Sequence, residues 1–157
     1  MKAWLIILLS VVHLATFAQV PAIGIKGRAA AASTADGQIQ SAAGNNINIY
    51  ISADFGDTWT AKESARDWRG IAISANGQHQ TAVVFGGQIY TSSNYGTTWT
   101  PKATNRNWNA VASDASAQYR TATVDNGQIY ISSDYGENWS AKESNRAWRT
   151  IFINQKQ

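Results

Sequence analysis

The chain has 157 residues, a formal charge of +3 at pH 7, no cysteine, and seven tryptophans among only 15% charged residues. So small a surplus without a lysine–arginine stripe excludes a nucleic-acid surface. The absence of cysteine excludes disulfides and a lipid-bearing cysteine anchor. Length predicts one domain, and the many Trp and Tyr beside Ser, Thr, Asn and Gly predict an aromatic-rich β protein with polar turns.

Residues 1–18 read as a signal peptide. Lys2 gives a positive start, "AWLIILLSVVHLA" an apolar run, and Thr16 and Ala18 small residues before Gln19. The run is short for a transmembrane helix and nothing downstream is as apolar, so no membrane span is expected. The expected location is the cell exterior, by secretion or in a periplasm. Residues 19–27, "QVPAIGIKG", read as an irregular lead-in.

From residue 28 the chain repeats itself every 40 residues, as units 28–67, 68–107 and 108–147, the last two identical at nearly half their positions. Such a period marks a repeat architecture. In the second unit "GIAIS", "QTAVVF", "QIYTS" and "WTPK" read as four short strands, separated by "ANGQ", Gly86-Gly87 and "SNYGTT". Pro101 places the fourth strand at an edge, and "ATNRN" reads as the lead to the next unit. Four antiparallel strands per unit predict an all-β fold of three β-propeller blades. Residues 148–157, "WRTIFINQKQ", begin a fourth unit and stop, an extra strand beyond the third blade.

One phrase recurs in each unit. It carries Ser52, Asp54, Gly56 and Trp59; Ser92, Asn94, Gly96 and Trp99; Ser132, Asp134, Gly136 and Trp139. The Asp or Asn oxygen can accept backbone N–H groups just ahead of it and fix a tight turn. The glycine permits a positive φ, and the tryptophan buries a ring against the sheet. The phrase resembles the Asp-box, or bacterial neuraminidase repeat, found on propeller blades of sialidases, sortilin-type receptors, certain xyloglucanases and a photosystem II assembly factor. The resemblance implies a box between the third and fourth strands, peripheral and away from any active site. It is therefore expected to be a folding device. Asn94 agrees, since it discards the charge a metal would need.

Catalytic groups are scarce. After the signal peptide the one histidine is His79, aligned with Ile39 and Tyr119, which suits a strand surface better than a zinc site or a general base. Glu63 and Glu143 align, but Ala103 takes that place in the second unit. A glycosidase needs one asymmetric pair of carboxylates in a cleft, whereas a repeat supplies copies. "GIKGRAAAAS" also lacks the arginine-bearing motif that sialidases carry near their start. The expectation is a protein that is not an enzyme and uses no cofactor or metal.

Lys62, Lys102 and Lys142 recur, and so do Arg66, Arg106 and Arg146, each two residues before Trp68, Trp108 or Trp148. One reading is an arginine stacked on an aromatic ring or bonded to a neighbouring loop. The other is a ligand-binding pocket between blades, in which Arg66, Arg106 or Arg146 and the following Trp contact a sugar, with repeated weak sites gaining strength through multivalency. Propellers close with roughly four to eight blades, so three predict either a homo-oligomer, dimer or trimer, that completes a ring, or a piece of a larger propeller. "RTIFI" reads as a strong first strand and "RAAAAS" as a weak one. Ile151–Ile153 is accordingly expected to replace the innermost strand of the first blade in a partner copy. The function expected is a secreted propeller module for binding or scaffolding, with carbohydrate the first ligand. The alternatives are a fragment of a larger glycoside-hydrolase-like or adhesin propeller, or an assembly factor that binds protein.

Overall fold

In the computed structural model residues 28–151 are described. The expected signal peptide, the lead-in 19–27 and the end of the tail, 152–157, lie outside them. Unit one contains β1 (Ala29–Ser33), β2 (Gln40–Ile47), β3 (Tyr50–Ser52) and β4 (Thr60–Ala61). These form an antiparallel meander in sequence order, from Ala29 opposite Gly44 through Gln40 opposite Ser52 to Ile51 opposite Thr60. The remaining strands are β5 (Arg66–Ile73), β6 (Gln80–Ser92), β7 (Thr100–Ser113), β8 (Arg120–Val124), β9 (Ile129–Ser132) and β10 (Ser140–Ala141). Unit three repeats the meander with the second half of β7, then β8, β9 and β10. All pairings are antiparallel, and no described residue is helical.

The stretch 103–107 is not the loop it reads as. β7 runs unbroken from the outer edge of unit two into the inner strand of unit three. On the way Arg106 and Asn107 pair with Gly87 and Phe85. The same link recurs where Arg66 and Asp67 pair with Ile47 and Asn45, and where Arg146 bridges Gly127. Backbone donors and acceptors in a packed repeat need partners, and these pairings supply them. They also make one hydrogen-bonded path through all three units. Pro101 sits in the outermost strand of unit two, paired on one side only with Tyr90.

Side-chain alternation explains where the core lies. On the middle sheet Trp68, Ile71, Ala82, Val84 and Tyr90 point toward unit one, where they cluster with Ala43, Ile49 and Ile51. Their neighbours Ala72, Val83 and Ile89 point the other way and cluster with Trp108, Val111, Ala122 and Tyr130 of unit three. A period of two thus loads both faces of the sheet, and each core belongs to a junction rather than to a unit. Trp68 meets the Tyr90 ring edge-on at 5.2 Å, and Trp108 meets Tyr130 at 5.0 Å. The inner strands approach closely at Gly70, where a β-carbon would stand 3.1 Å from the Val111 nitrogen.

One expectation about the ends changes. "RAAAAS" forms strand β1 despite its alanines, because β2 offers it a full ladder. Phe152 and Ile153 of the expected exchange strand lie outside the described residues. Residues 148–151 are irregular.

Candidate functional site

The three boxes close by one geometry. Each serine hydroxyl accepts the glycine N–H, Ser52 from Gly56 at 2.9 Å, Ser92 from Gly96 at 3.0 Å and Ser132 from Gly136 at 2.9 Å. It donates in turn to Asp54, Asn94 or Asp134. That side chain accepts the N–H of Thr58, Thr98 or Asn138 through Oδ1. Each tryptophan indole, of Trp59, Trp99 and Trp139, donates to its glycine carbonyl at 3.0 Å. Asp54 and Asp134 also accept, through Oδ2, the Thr58 hydroxyl and Asn138 Nδ2; in unit two this contact reverses, Asn94 Nδ2 donating to Thr98 Oγ1, so the turn survives without a charge.

The residue before each glycine was not readable as special. Phe55, Tyr95 and Tyr135 all take positive φ, near 60°, beside a glycine that does the same. Two successive left-handed residues make a tight turn, and the serine–carboxylate lattice holds the aromatic there against its steric preference.

The charged boxes respond to acid. Asp54 is lowered to about 2, first by the Thr58 hydroxyl, and Asp134 to about 2, first by the Asn138 N–H. A carboxyl depressed in the folded state adds stability that is complete above its unfolded pKa of about 4 and is lost as pH falls toward 2. Replacing both by Asn, the residue unit two uses, should flatten the fall in melting temperature between about pH 4 and pH 2. An equally steep fall in the double variant would contradict this.

Between units two and three the surface opens into two adjoining grooves. The outer one, about 310 Å³, runs between His79, Thr91, Ser92 and Lys102 on one side and Asp134, Tyr135 and Glu137 on the other. The His79 ring lies 4.7 Å from that of Tyr135, and burial, then Arg120, lowers its pKa. The second, about 390 Å³, is lined by Thr104, Arg106, Trp108, Tyr130, Glu137 and Trp139, so Glu137 belongs to both. Lys102 reaches Glu137 at 2.7 Å, an exposed pair worth little to stability.

This is where the candidate residues meet their positions. Arg106 lies 4.9 Å over the Tyr130 ring and Arg66 4.8 Å over Tyr90, so the arginines stack on the third-strand tyrosines, not on the tryptophans that follow them. Arg146 faces Trp148 at 6.0 Å. Trp68 and Trp108 have no exposed surface at all and offer no face to a sugar. The half-buried ring at the second groove is Trp139, a box residue assigned to folding alone. Its indole N–H is spent on Gly136, which fixes the ring's orientation. Trp148 is half-buried at the end of the described chain. Among the described residues no cluster of His, Asp and Glu could hold a metal ion.

A polar column beneath the boxes, buried at Gln80 and Arg120 and half-buried at Gln40, escaped sequence reading. Gln40, Gln80 and Arg120 occupy one repeat position, and each donates to the carbonyl of its own hairpin, at Gly37, Gly77 or Ala117. Gln80 Oε1 also accepts Ser41 Oγ of unit one at 2.7 Å, and Arg120 Nη1 donates to Thr81 Oγ1 of unit two at 2.5 Å. Burial pushes the Arg120 guanidinium down to about 10, and its Nη2 has no hydrogen-bond partner. Only the alignment of 40, 80 and 120 hinted at a shared role.

Fold and turn geometry together define a β-propeller built from Asp-box repeats. Residues 130–141 match the BNR/Asp-box repeat family. No curated protein matches it. Among solved structures it resembles YCF48 bound to D1 peptide (17% identity over 71% of this chain, TM-score 0.60) and YCF48 from Cyanidioschyzon merolae (15% over 78%, TM-score 0.63). It also resembles the GH74 xyloglucanase from Xanthomonas campestris (20% over 76%, TM-score 0.52). The chain spans 39% of either YCF48 chain and 20% of the xyloglucanase. At these identities the likeness is one of fold.

Proposed function

We propose that the chain is a non-catalytic binding module that acts outside the cell and takes a carbohydrate in the groove at Arg106, Glu137 and Trp139. The observation that carries this reading is the lining of that groove, where the half-buried Trp139 ring stands together with Arg106 and with a Glu137 that is paired with Lys102 at 2.7 Å. Hydrolysis of a glycoside needs a raised acid opposite a free base or nucleophile, whereas binding needs a fixed aromatic face with polar groups at its rim. Trp139, Arg106 and Glu137 supply the latter. Export rests on the signal-like start of the sequence.

The likeness to GH74 propellers makes xyloglucan oligosaccharides the first probes, and the likeness to peptide-bound YCF48 supplies the rival ligand class, a peptide. Probing glycan and peptide arrays with the protein and with an Arg106→Ala, Glu137→Ala variant decides between them. Glycan binding by the wild type, lost in the variant, is the expected result. Silence on glycans with variant-sensitive peptide binding would overturn the carbohydrate reading.

A further inference from the structure

The two junctions inside the chain use one set of contacts, and the two end faces carry its separated halves. On the third strand Ile51 of unit one packs on the box glycine of unit two, where a β-carbon at Gly96 would come within 2.7 Å of Ile51 Cδ1. Thr91 packs likewise on Gly136, within 2.9 Å. Ile51 and Thr91 are buried in consequence, but Ile131, their counterpart in unit three, is 40% exposed. At the opposite end the box glycine Gly56 is buried, and the three atoms nearest to the place of its β-carbon all belong to its own unit's Gln40.

The neighbouring contacts repeat the pattern. Ile39 fills the notch at Gly77, and His79 lies on Tyr135. Tyr119, the third residue of that row, is 56% exposed, while the notch at Gly37 has nothing within 4 Å and Phe55 stands in the place of Tyr135. The hydroxyls Ser41 and Thr81 meet Gln80 and Arg120; Thr121 and Gln40, at the ends, are only half-buried. Charge completes the match. Lys102 pairs with Glu137 across the second junction. The position of Glu137 is threonine, Thr97, in unit two but acidic again, Asp57, in unit one, and Lys142 is the lysine of unit three.

We propose that these end faces bind each other between copies of the chain, unit three of one against unit one of the next. Ile131 seats on Gly56, Tyr119 in the Gly37 notch against Phe55, Thr121 on Gln40, and Lys142 beside Asp57. The surfaces differ, so the contact is heterologous and must close into a ring or grow into a fibre. Two copies give six units, within the roughly four to eight blades of closed propellers. No strand exchange is required, because β1 already fills the inner place of unit one.

Light scattering across a concentration series, with circular dichroism to confirm folding, tests the proposal. The wild type should show twice the chain mass. Ile131→Glu, at an exposed position, should keep the β spectrum and run at the chain mass. Lys142→Glu should weaken association at least tenfold, and adding Asp57→Lys should restore it. Association unaffected by Ile131→Glu, or a wild type at the chain mass at high micromolar concentration, would overturn the proposal. Failure of the charge swap to restore binding would overturn the register.

Discussion

Trp108→Ala is expected to lower stability by about 3–5 kcal/mol, the range for deleting a buried aromatic ring from a core. The indole has no exposure, meets Tyr130 edge-on, and donates to the Thr104 carbonyl at 3.2 Å. It sits where β7 passes from one unit to the next, and it belongs to the core shared by units two and three. The loss therefore falls on a junction, not within one sheet. Against a total stability of about 5–15 kcal/mol for a domain, urea denaturation should show a large shift in midpoint. A loss under about 1 kcal/mol would show that the junction does not depend on the ring.

Arg120 should respond in opposite directions to two substitutions. Arg120→Ala removes the donors to Thr81 and to the Ala117 carbonyl and leaves a void beneath Gly136, where Nη1 stands 2.8 Å from the place of a β-carbon. Cavity and lost hydrogen bonds together should cost about 2–4 kcal/mol. Arg120→Gln installs the residue that units one and two use at this position. Its amide can bond the hairpin carbonyl as Gln80 does at Gly77, and its oxygen can accept Thr81 as Gln80 accepts Ser41. It also relieves the burial of a cation with one unpartnered nitrogen. Melting temperature should then equal or exceed that of the wild type. A Gln variant as unstable as the Ala variant would show that the positive charge itself is needed, through Asp114, Glu137 and Asp134.

The repeat makes the architecture legible in the sequence alone. Forty-residue spacing, turn residues at fixed offsets and alternating apolar positions are local properties, and the all-β meanders follow from them. What stayed hidden depended on neighbours. Trp68 and Trp108 read as exposed platforms because an aromatic after an arginine looks the same whether its face meets solvent or the next sheet. Arg106 reads as an arginine stacked on a tryptophan or on a sugar, whereas the ring it lies over, Tyr130, belongs to another strand. The continuity of β7 through residues 103–107 rests on pairing with Phe85 and Gly87, which no local propensity encodes. The column at positions 40, 80 and 120 mixes glutamine with arginine. Chemical difference therefore concealed a role that geometry makes plain.

The most direct test of a module that binds in its groove without turning its ligand over joins two readings on one sample. The protein is titrated calorimetrically with the oligosaccharide it retains best, and the same mixture is then assayed for new reducing ends after prolonged incubation. The account predicts saturable binding, lost in the Arg106→Ala, Glu137→Ala variant, with the sugar recovered intact. Reducing ends that accumulate with the wild type and not with the variant would contradict it.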